Sequence, residues 1–458
     1  MNDTAEHIVD ELIENQKVFF ATNQTKSVKF RLKQLRILKN AIVKYQTKIE
    51  EALWKDLHKS PEEAYLTEIS LVNSEIDNHI KHLKNWTRIA RVATPLHVLP
   101  SSSRVVYEPL GVALIVAPWN YPFQLLINPL VGVISSGCCG VLKPSPRAPN
   151  TAKVVEEMIA DSFAPEYINT VQGGRATNTI LFNKRFDVIF FTGSPKVGKV
   201  VMRAAADHLT PLILELGGKS PCIVDKDANI DVAAKRIAWG KLINAGQTCI
   251  APDYLFAHKT IKAELLDKIA QNIVVMYGEN IKESRFYPRI VNEQAMDRLE
   301  ALLKQGEIHS GGQMDRKEKF IAPTIIDKVD PDFAVMQDEI FGPILPVMEF
   351  ENLDETINYI NKNEKPLALY YFGKSKTGRR VLAQTSSGGA CINDTLMHII
   401  NHDLPFGGVG NSGMGKYHGK DSFLAFTNRK AVVVSPTWID IPLKYAPFKH
   451  FNIIKKLI

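Results

Sequence analysis

The sequence predicts an α/β protein, with a doubly wound parallel sheet followed by a second α/β unit. Three observations carry this. Gly111 to Ala117, Phe186 to Phe191 and Pro211 to Glu215 are short apolar runs, the pattern of strands buried on both faces. Stretches of helical length and periodicity alternate with them. The chain has 458 residues, more than a single core holds, and a second α/β pattern begins at Cys222.

Residues 5–92 read as helices. Leu32, Leu35, Leu38, Ile42 and Tyr45 recur at helical spacing, as do Ile49, Leu53 and Leu57. Glu62 to Ile89 is a further helical run, and Pro61 suits its first turn. Pro95, Pro100 and the serines at 101–103 then break helix, and Arg104 to Tyr107 reads as a strand in an arm leaving the main body. The strand Gly111–Ala117 runs through Pro118-Trp119-Asn120-Tyr121-Pro122 into a helix over Phe123 to Ser136. A strand at Val141 to Lys143, a helix from Asn150 to Phe163 and a strand at Ile168 to Val171 follow. The next strand closes on Thr192-Gly193-Ser194, before a helix from Val197 to Ala206. After the strand ending at Glu215, the domain boundary falls near residue 217. The second unit takes strands from Cys222, near 321–326, at 345–350 and over Leu367 to Phe372, with helices near 231–242, 261–276 and 353–362. Glycines crowd the interval from Asn393 to Tyr417, where they allow tight turns and close approach to a ligand. Pro405, Phe406 and Met414 among them argue for packing rather than a floppy loop.

Composition narrows the function. The chain is 45% hydrophobic and 23% charged, an ordinary globular balance. Its net charge of +7 is spread along the sequence, which argues against nucleic-acid binding. The five cysteines, Cys138, Cys139, Cys222, Cys249 and Cys391, form no CxxC or Cys/His cluster with zinc spacing, so no metal site and a reducing, cytoplasmic setting are expected. The N-terminus has no secretory pattern, and no run reaches the roughly 18 apolar residues of a membrane span.

Cys249 follows a glycine-containing turn, Asn244-Ala245-Gly246-Gln247-Thr248, where a thiol can be aimed at a pocket; alone, a cysteine in a loop is more often an inert small hydrophobe. Glu215 ends a buried strand just before Gly217 and Gly218, as a paired structural acid or a general base. Asn120, at another strand end, offers an amide donor or caps a turn. Both sit at carboxyl ends of parallel strands, where α/β ligand sites gather. Phe191-Thr192-Gly193-Ser194 precedes a helix, with Gly198 and Lys199 inside it, a context in which a helix N-terminus holds phosphate. The Rossmann glycine pattern fails at Ser194-Pro195, and an NTPase P-loop fails at Val200, which cannot hold Mg²⁺; a nonstandard dinucleotide site stays open. Glu339 and Phe341, two apart, share one face if extended; a carboxylate can take a ribose diol and a ring can flank a planar base, or the pair is an ordinary turn with a core Phe.

Together these motifs resemble the aldehyde dehydrogenase superfamily over essentially the whole length. The matching stretches, in order, are Pro118-Trp119-Asn120, Lys143-Pro144-Ser145, Phe191 to Ser194, Glu215-Leu216-Gly217-Gly218-Lys219-Ser220-Pro221, Gly246 to Cys249, Glu339-Ile340-Phe341-Gly342-Pro343 and Leu404-Pro405-Phe406-Gly407-Gly408. Ala251 to Tyr254, and Gly410 to Gly415 with Tyr417-His418-Gly419, look like the class-three branch, whose members take medium-chain, fatty and aromatic aldehydes and are typically dimers. The resemblance implies a Rossmann-like dinucleotide-binding domain (1–90 and 110–217), a catalytic domain (218–412), a small β oligomerisation arm (91–109 and 413–440) and a tail (441–458).

By the same resemblance, Cys249 attacks the aldehyde carbon. The Asn120 amide and the Cys249 N–H hold the oxyanion, and Glu215 activates water against the thioester. Donors of this kind are worth roughly 3–4 kcal/mol each. Lys143 and Glu339 hold the riboses, with Ser145 and Leu216 also on the cofactor. Phe341 packs by the nicotinamide, and Thr192, Gly193, Ser194 and Gly198 lie near the pyrophosphate. One departure matters: the acid that often follows Lys-Pro-Ser, and that would repel a 2′-phosphate, is Pro146 here, followed by Arg147. Both NAD and NADP are therefore expected as cofactors. A CoA-acylating enzyme, a nucleotide hydrolase and a catalytically silent relative are the alternatives; Glu215, Val200 and the full set of catalytic residues argue against them in turn. The tail mixes lysines with Tyr445, Phe448 and Phe451, and is expected to pack on its own subunit or the dimer partner, or to touch a membrane surface weakly.

Overall fold

The computed structural model describes residues 3–440, Pro442, residues 445–448, Phe451, Asn452 and Lys455. The first sheet has six strands. From one edge they are Gly413–Met414, Leu212–Leu216, Val188–Gly193, Val112–Val116, Cys139–Lys143 and Ile168–Thr170. All neighbours pair in parallel except Gly413–Met414, which runs antiparallel. Val112–Val116 and Cys139–Lys143 are buried at every position, which explains why these strands are apolar throughout rather than alternating. The chain builds outward from Val112–Val116 on one side, then returns to add Val188–Gly193 on the other. That reversal places a crevice at the carboxyl ends of these two strands, where Trp119 and Asn120 follow one and Thr192 and Gly193 close the other before Ser194.

The second sheet has seven strands, in the order Glu307–Ser310, Thr324–Asp327, Ile344–Phe350, Tyr254–His258, Pro221–Val224, Ala368–Phe372 and Gly389–Ile392. The first pairs antiparallel and the rest parallel. A three-stranded antiparallel arm joins Ala90–Val92, Ser102–Pro109 and Thr427–Val434. The stretch 413–440, grouped with the arm from sequence, divides. Gly413–Met414 joins the first sheet and helix Lys420–Ala425 packs on helix Gln124–Ser136, so Thr427–Val434 is its arm strand. The reason is local: Ser422 and Phe423 are buried, whereas Thr427–Val434 is mostly exposed.

The N-terminal helices are Glu6–Ala21, Val28–Leu57, Pro61–Ala64 and Ser70–Trp86. The run expected over Glu62 to Ile89 is broken by a π-helical turn, Tyr65–Ile69, which turns Glu68 and Ile69 into the core. The structure adds helices Arg175–Asn183, Glu293–Leu302 and Ser375–Gln384, and the strand Tyr254–His258. Among the described residues no helix is long and apolar enough to cross a membrane. Tyr445, Phe448 and Phe451 of the tail are about half exposed; Leu443, Lys444, Lys449, Ile453, Ile454 and residues 456–458 lie outside the described residues.

Candidate active site

The turn before Cys249 is built from three consecutive left-handed residues, Asn244, Ala245 and Gly246, with φ of 52°, 52° and 73°. Two of them carry side chains, a conformation that costs on the order of 1–3 kcal/mol each and needs support. The Asn244 N–H donates to Glu63 Oε1 at 2.7 Å. Asn244 Nδ2 donates to the Asn120 carbonyl at 2.8 Å. Gln247 Nε2 donates to the carbonyls of Asn244 (3.1 Å) and Arg289 (3.0 Å), and Gln247 Oε1 accepts from the Val291 N–H at 3.0 Å. A Cβ on Gly246 would lie 2.2 Å from the Gly342 carbonyl oxygen, so glycine is required where the turn before Cys249 meets the Glu339–Phe341 loop.

Asn120 is 2% exposed, and its Nδ2 donates to the Gln247 carbonyl at 3.0 Å. A carboxamide has two N–H donors, so the second is left for a ligand. The loop carrying Asn120 is clamped from below by a fully buried ion pair, Lys59 Nζ to Glu68 Oε1 at 2.5 Å. Lys59 also donates to the Asn120 carbonyl at 3.3 Å, and Glu68 Oε2 accepts the N–H groups of Phe123 and Gln124 where a helix begins. Sequence reading missed this pair; a lysine and a glutamate nine apart in helical text carry no sign of burial.

Two cavities, each about 470 Å³, meet at Cys249. One is lined by Trp119, Asn120, Thr192 to Ser194, Glu215, Leu216, Glu339, Phe341 and Tyr417. The other is walled by apolar and aromatic groups, Leu66, Tyr121, Trp239, Tyr277, Phe286 and Met397, with Glu63 among them. Cys249, Leu125 and Phe406 line both, so the one thiol on the shared wall is open to either chamber. Cys249 is thus partly exposed, on the wall common to both cavities.

Burial pushes the Cys249 thiol well above its ordinary value; Glu339 and Glu215 add to this, and nearby backbone N–H groups oppose it. Glu215 is 3% exposed, neither of its oxygens has a protein hydrogen-bond partner, and burial pushes it well up while Lys416 opposes. Glu339 rises to about 8 through burial, with Asp253 adding to the shift.

Nine of the twelve residues singled out from sequence line the first cavity: Asn120, Thr192, Gly193, Ser194, Glu215, Leu216, Cys249, Glu339 and Phe341. Lys143, Ser145 and Gly198 do not. The Lys143 ammonium is folded onto the Pro144 carbonyl at 2.8 Å, and burial lowers it to about 8. Ser145 Oγ accepts the Arg147 N–H at 3.3 Å. Gly198 serves packing, since a Cβ there would lie 2.9 Å from Leu216 Cδ2. Arg147 itself lines the cavity.

The donor set fits a dinucleotide. Thr192 Oγ1 is buried without a partner, and the helix Pro195–Ala206 opens beside it at Ser194. The Glu339 carboxyl closes on Gly217, and the Trp119 and Phe341 rings stand edge to face with centroids 5.4 Å apart. Among the described residues no group of three His, Cys, Asp or Glu could hold a metal ion.

Known proteins resemble this chain. The aldehyde dehydrogenase family model matches residues 1–432. The 4,4'-diaponeurosporen-aldehyde dehydrogenase of Staphylococcus aureus is 46% identical over 453 residues, 98% of this chain and 99% of that protein. A dimeric NADP-preferring aldehyde dehydrogenase of Rattus norvegicus is 43% identical over 427 residues, 93% of this chain and 94% of that one. The solved structure of substrate-bound Staphylococcus aureus AldH superposes with a TM-score of 0.96 at 45% identity, over 98% of this chain and 99% of that chain. The match spans both sheets and both chambers that meet at the thiol, and this chain therefore belongs to the aldehyde dehydrogenase family.

Proposed function

We propose that the chain oxidises aldehydes to carboxylic acids with NAD or NADP, through a thiohemiacetal and then a thioester on Cys249. The observation that carries this is the single thiol on the wall common to two chambers, one holding Glu215, Glu339 and Arg147 and the other walled mainly by apolar groups. Aldehyde enters the apolar chamber, whose aliphatic and aromatic walls suit medium- or long-chain and aromatic substrates. Cys249 Sγ bonds to the carbonyl carbon as its proton leaves to Glu215 or water, and the oxygen gains negative charge. The free N–H of Asn120 and the Cys249 N–H receive that charge. The first chamber would hold NAD or NADP, which would accept the hydride that leaves the former aldehyde carbon as the thioester forms. Glu339 would hold a ribose, Phe341 would pack by the nicotinamide, and Thr192, Gly193 and Ser194 would meet the pyrophosphate. Lys143 joins them once its side chain turns from Pro144. Glu215, with no partner of its own, takes a proton from water, whose oxygen bonds to the acyl carbon as the sulfur leaves.

Pro146 leaves no acid to repel a 2′-phosphate and Arg147 adds a cation at the cavity, which supports use of both cofactors. The arm supports a homodimer, and five free thiols support a reducing, cytoplasmic setting. The test is Cys249→Ala, assayed at the reduced-nicotinamide absorbance with either cofactor and with short, long-chain and aromatic aldehydes. Turnover should fall to background; substantial turnover would overturn the reading.

A further inference from the structure

Glu215 poses a physical problem that its own contacts do not solve. Its carboxyl is 3% exposed, both oxygens lack a protein partner, and burial disfavours the anion that a base must be. A direct salt bridge would stabilise the anion but would occupy the oxygen that must take the proton. The glycine-rich segment offers another solution. Gly413–Met414 pairs with the strand Leu212–Leu216, placing Gly413 opposite Glu215, and the chain continues through Gly415 to Lys416. The half-buried Lys416 turns its ammonium onto three carbonyls, those of Gly407, Gly408 (3.2 Å) and Gly388 (3.5 Å). These acceptors match the three donors of an ammonium, so the charge is anchored without a carboxylate partner. Gly407 stands between the two groups. A Cβ placed there would lie 2.8 Å from Glu215 Oε1 and 3.0 Å from Lys416 Cδ.

We propose that Lys416 is a positioning residue for Glu215: it fixes a positive charge behind Gly407, near the carboxylate but not bonded to it, so that Glu215 stays ionised while both its oxygens remain free for water. This rests on the reading of Glu215 as the base. The other groups facing Glu215 are Cys249, from the nucleophile turn, and Tyr417, beside Lys416; Asp421, from the following helix, faces Lys416. Neither Cys249 nor Tyr417 brings a positive charge, which leaves Lys416 as the counter-charge on the Glu215 side of the cavity.

The test is the pH profile of kcat and of acyl-enzyme hydrolysis in Lys416→Met, Lys416→Gln and Lys416→Arg, beside Glu215→Gln. An opposite charge within about 4–6 Å lowers a carboxyl by about 1–3 pH units. Both neutral variants should move the acidic limb upward by about that amount with KM little changed, and Lys416→Arg should hold it near the wild-type position. Gln keeps an N–H donor for the carbonyls, so a collapse confined to Lys416→Met leaves the test intact. A loss of kcat at all pH values with the limb unmoved in a neutral variant would overturn the proposal and leave a structural role. If Glu215→Gln itself keeps the wild-type limb, the reading of Glu215 as base fails, and the proposal with it.

Discussion

Burial holds the Cys249 thiol above its ordinary value, so the side chain rests as a neutral thiol and its activation needs a base close by. Cys249, Glu215 and Asn120 stand out in the sequence by place, near the end of a buried strand or after a glycine-containing turn, and one cavity brings the three together. Glu63 is not legible, since an acid in a first helical turn is ordinary helix chemistry. Yet it lines the apolar chamber, and its Oε1 accepts the Asn244 N–H that begins the turn before Cys249. Burial raises Glu63 to about 7, with Lys59 opposing. Its folded value lies above the unfolded one of about 4.3, so folding favours the protonated form. The stability it contributes is full below the unfolded value and is lost as pH rises through about 7. Glu63→Gln keeps an acceptor for Asn244 and removes the titration. Thermal melts should then find the variant more stable than wild type at pH 8 and equal to it at pH 4. An unchanged gap across that range would refute the assignment.

At the scale of elements, the strands of the first sheet are easy to read because both faces are buried and their text is apolar throughout. Thr427–Val434 is hard to read for the opposite reason: it is mostly exposed and begins Thr-Asn-Arg-Lys. The π turn at Tyr65–Ile69 is also invisible, since a single extra residue in one turn leaves the helical spacing nearly intact. Another hidden tie joins the helix Ser70–Trp86 to the glycine-rich segment. Glu75 Oε1 accepts the Gly419 N–H at 2.8 Å and the Ser422 hydroxyl at 3.1 Å and meets His79 Nε2 at 3.0 Å; His402 Nδ1 lies 2.7 Å from Oε2. Burial opposes ionisation here, but His402 and His79 outweigh it and hold the carboxyl well below its usual range. Removing one partner of such a cluster costs roughly 3–5 kcal/mol. Glu75→Ala should lower unfolding stability by about that much in a denaturant titration, and a loss under about 1 kcal/mol, the range of surface pairs, would contradict the role.

For the whole molecule, strand–helix alternation makes two α/β units readable, and the break near residue 217 lies between the strands Leu212–Leu216 and Pro221–Val224 of the two sheets. What the alternation cannot tell is which unit a glycine-rich segment joins. Residues 413–426 pack on the first because Met414 pairs with Leu214 and Phe423 is buried, contacts set by tertiary structure. The arm leaves Thr427–Val434 as an edge strand with Val433 and Val434 exposed, a form suited to pairing with a second copy. Light scattering should give twice the 51.3 kDa of one chain, and Val433→Pro should shift it toward the single-chain mass; a wild-type monomer would refute the arm's role. The account turns on the thiol shared by the two chambers, and one measurement tests it most directly. Glu215→Gln is mixed with aldehyde and NAD or NADP, quenched within one turnover, and its peptides are weighed. The account predicts one acyl group on the peptide that carries Cys249, trapped because the base for water is gone. An acyl group on another residue, or an unmodified Cys249 in enzyme that has reduced its cofactor, would contradict it.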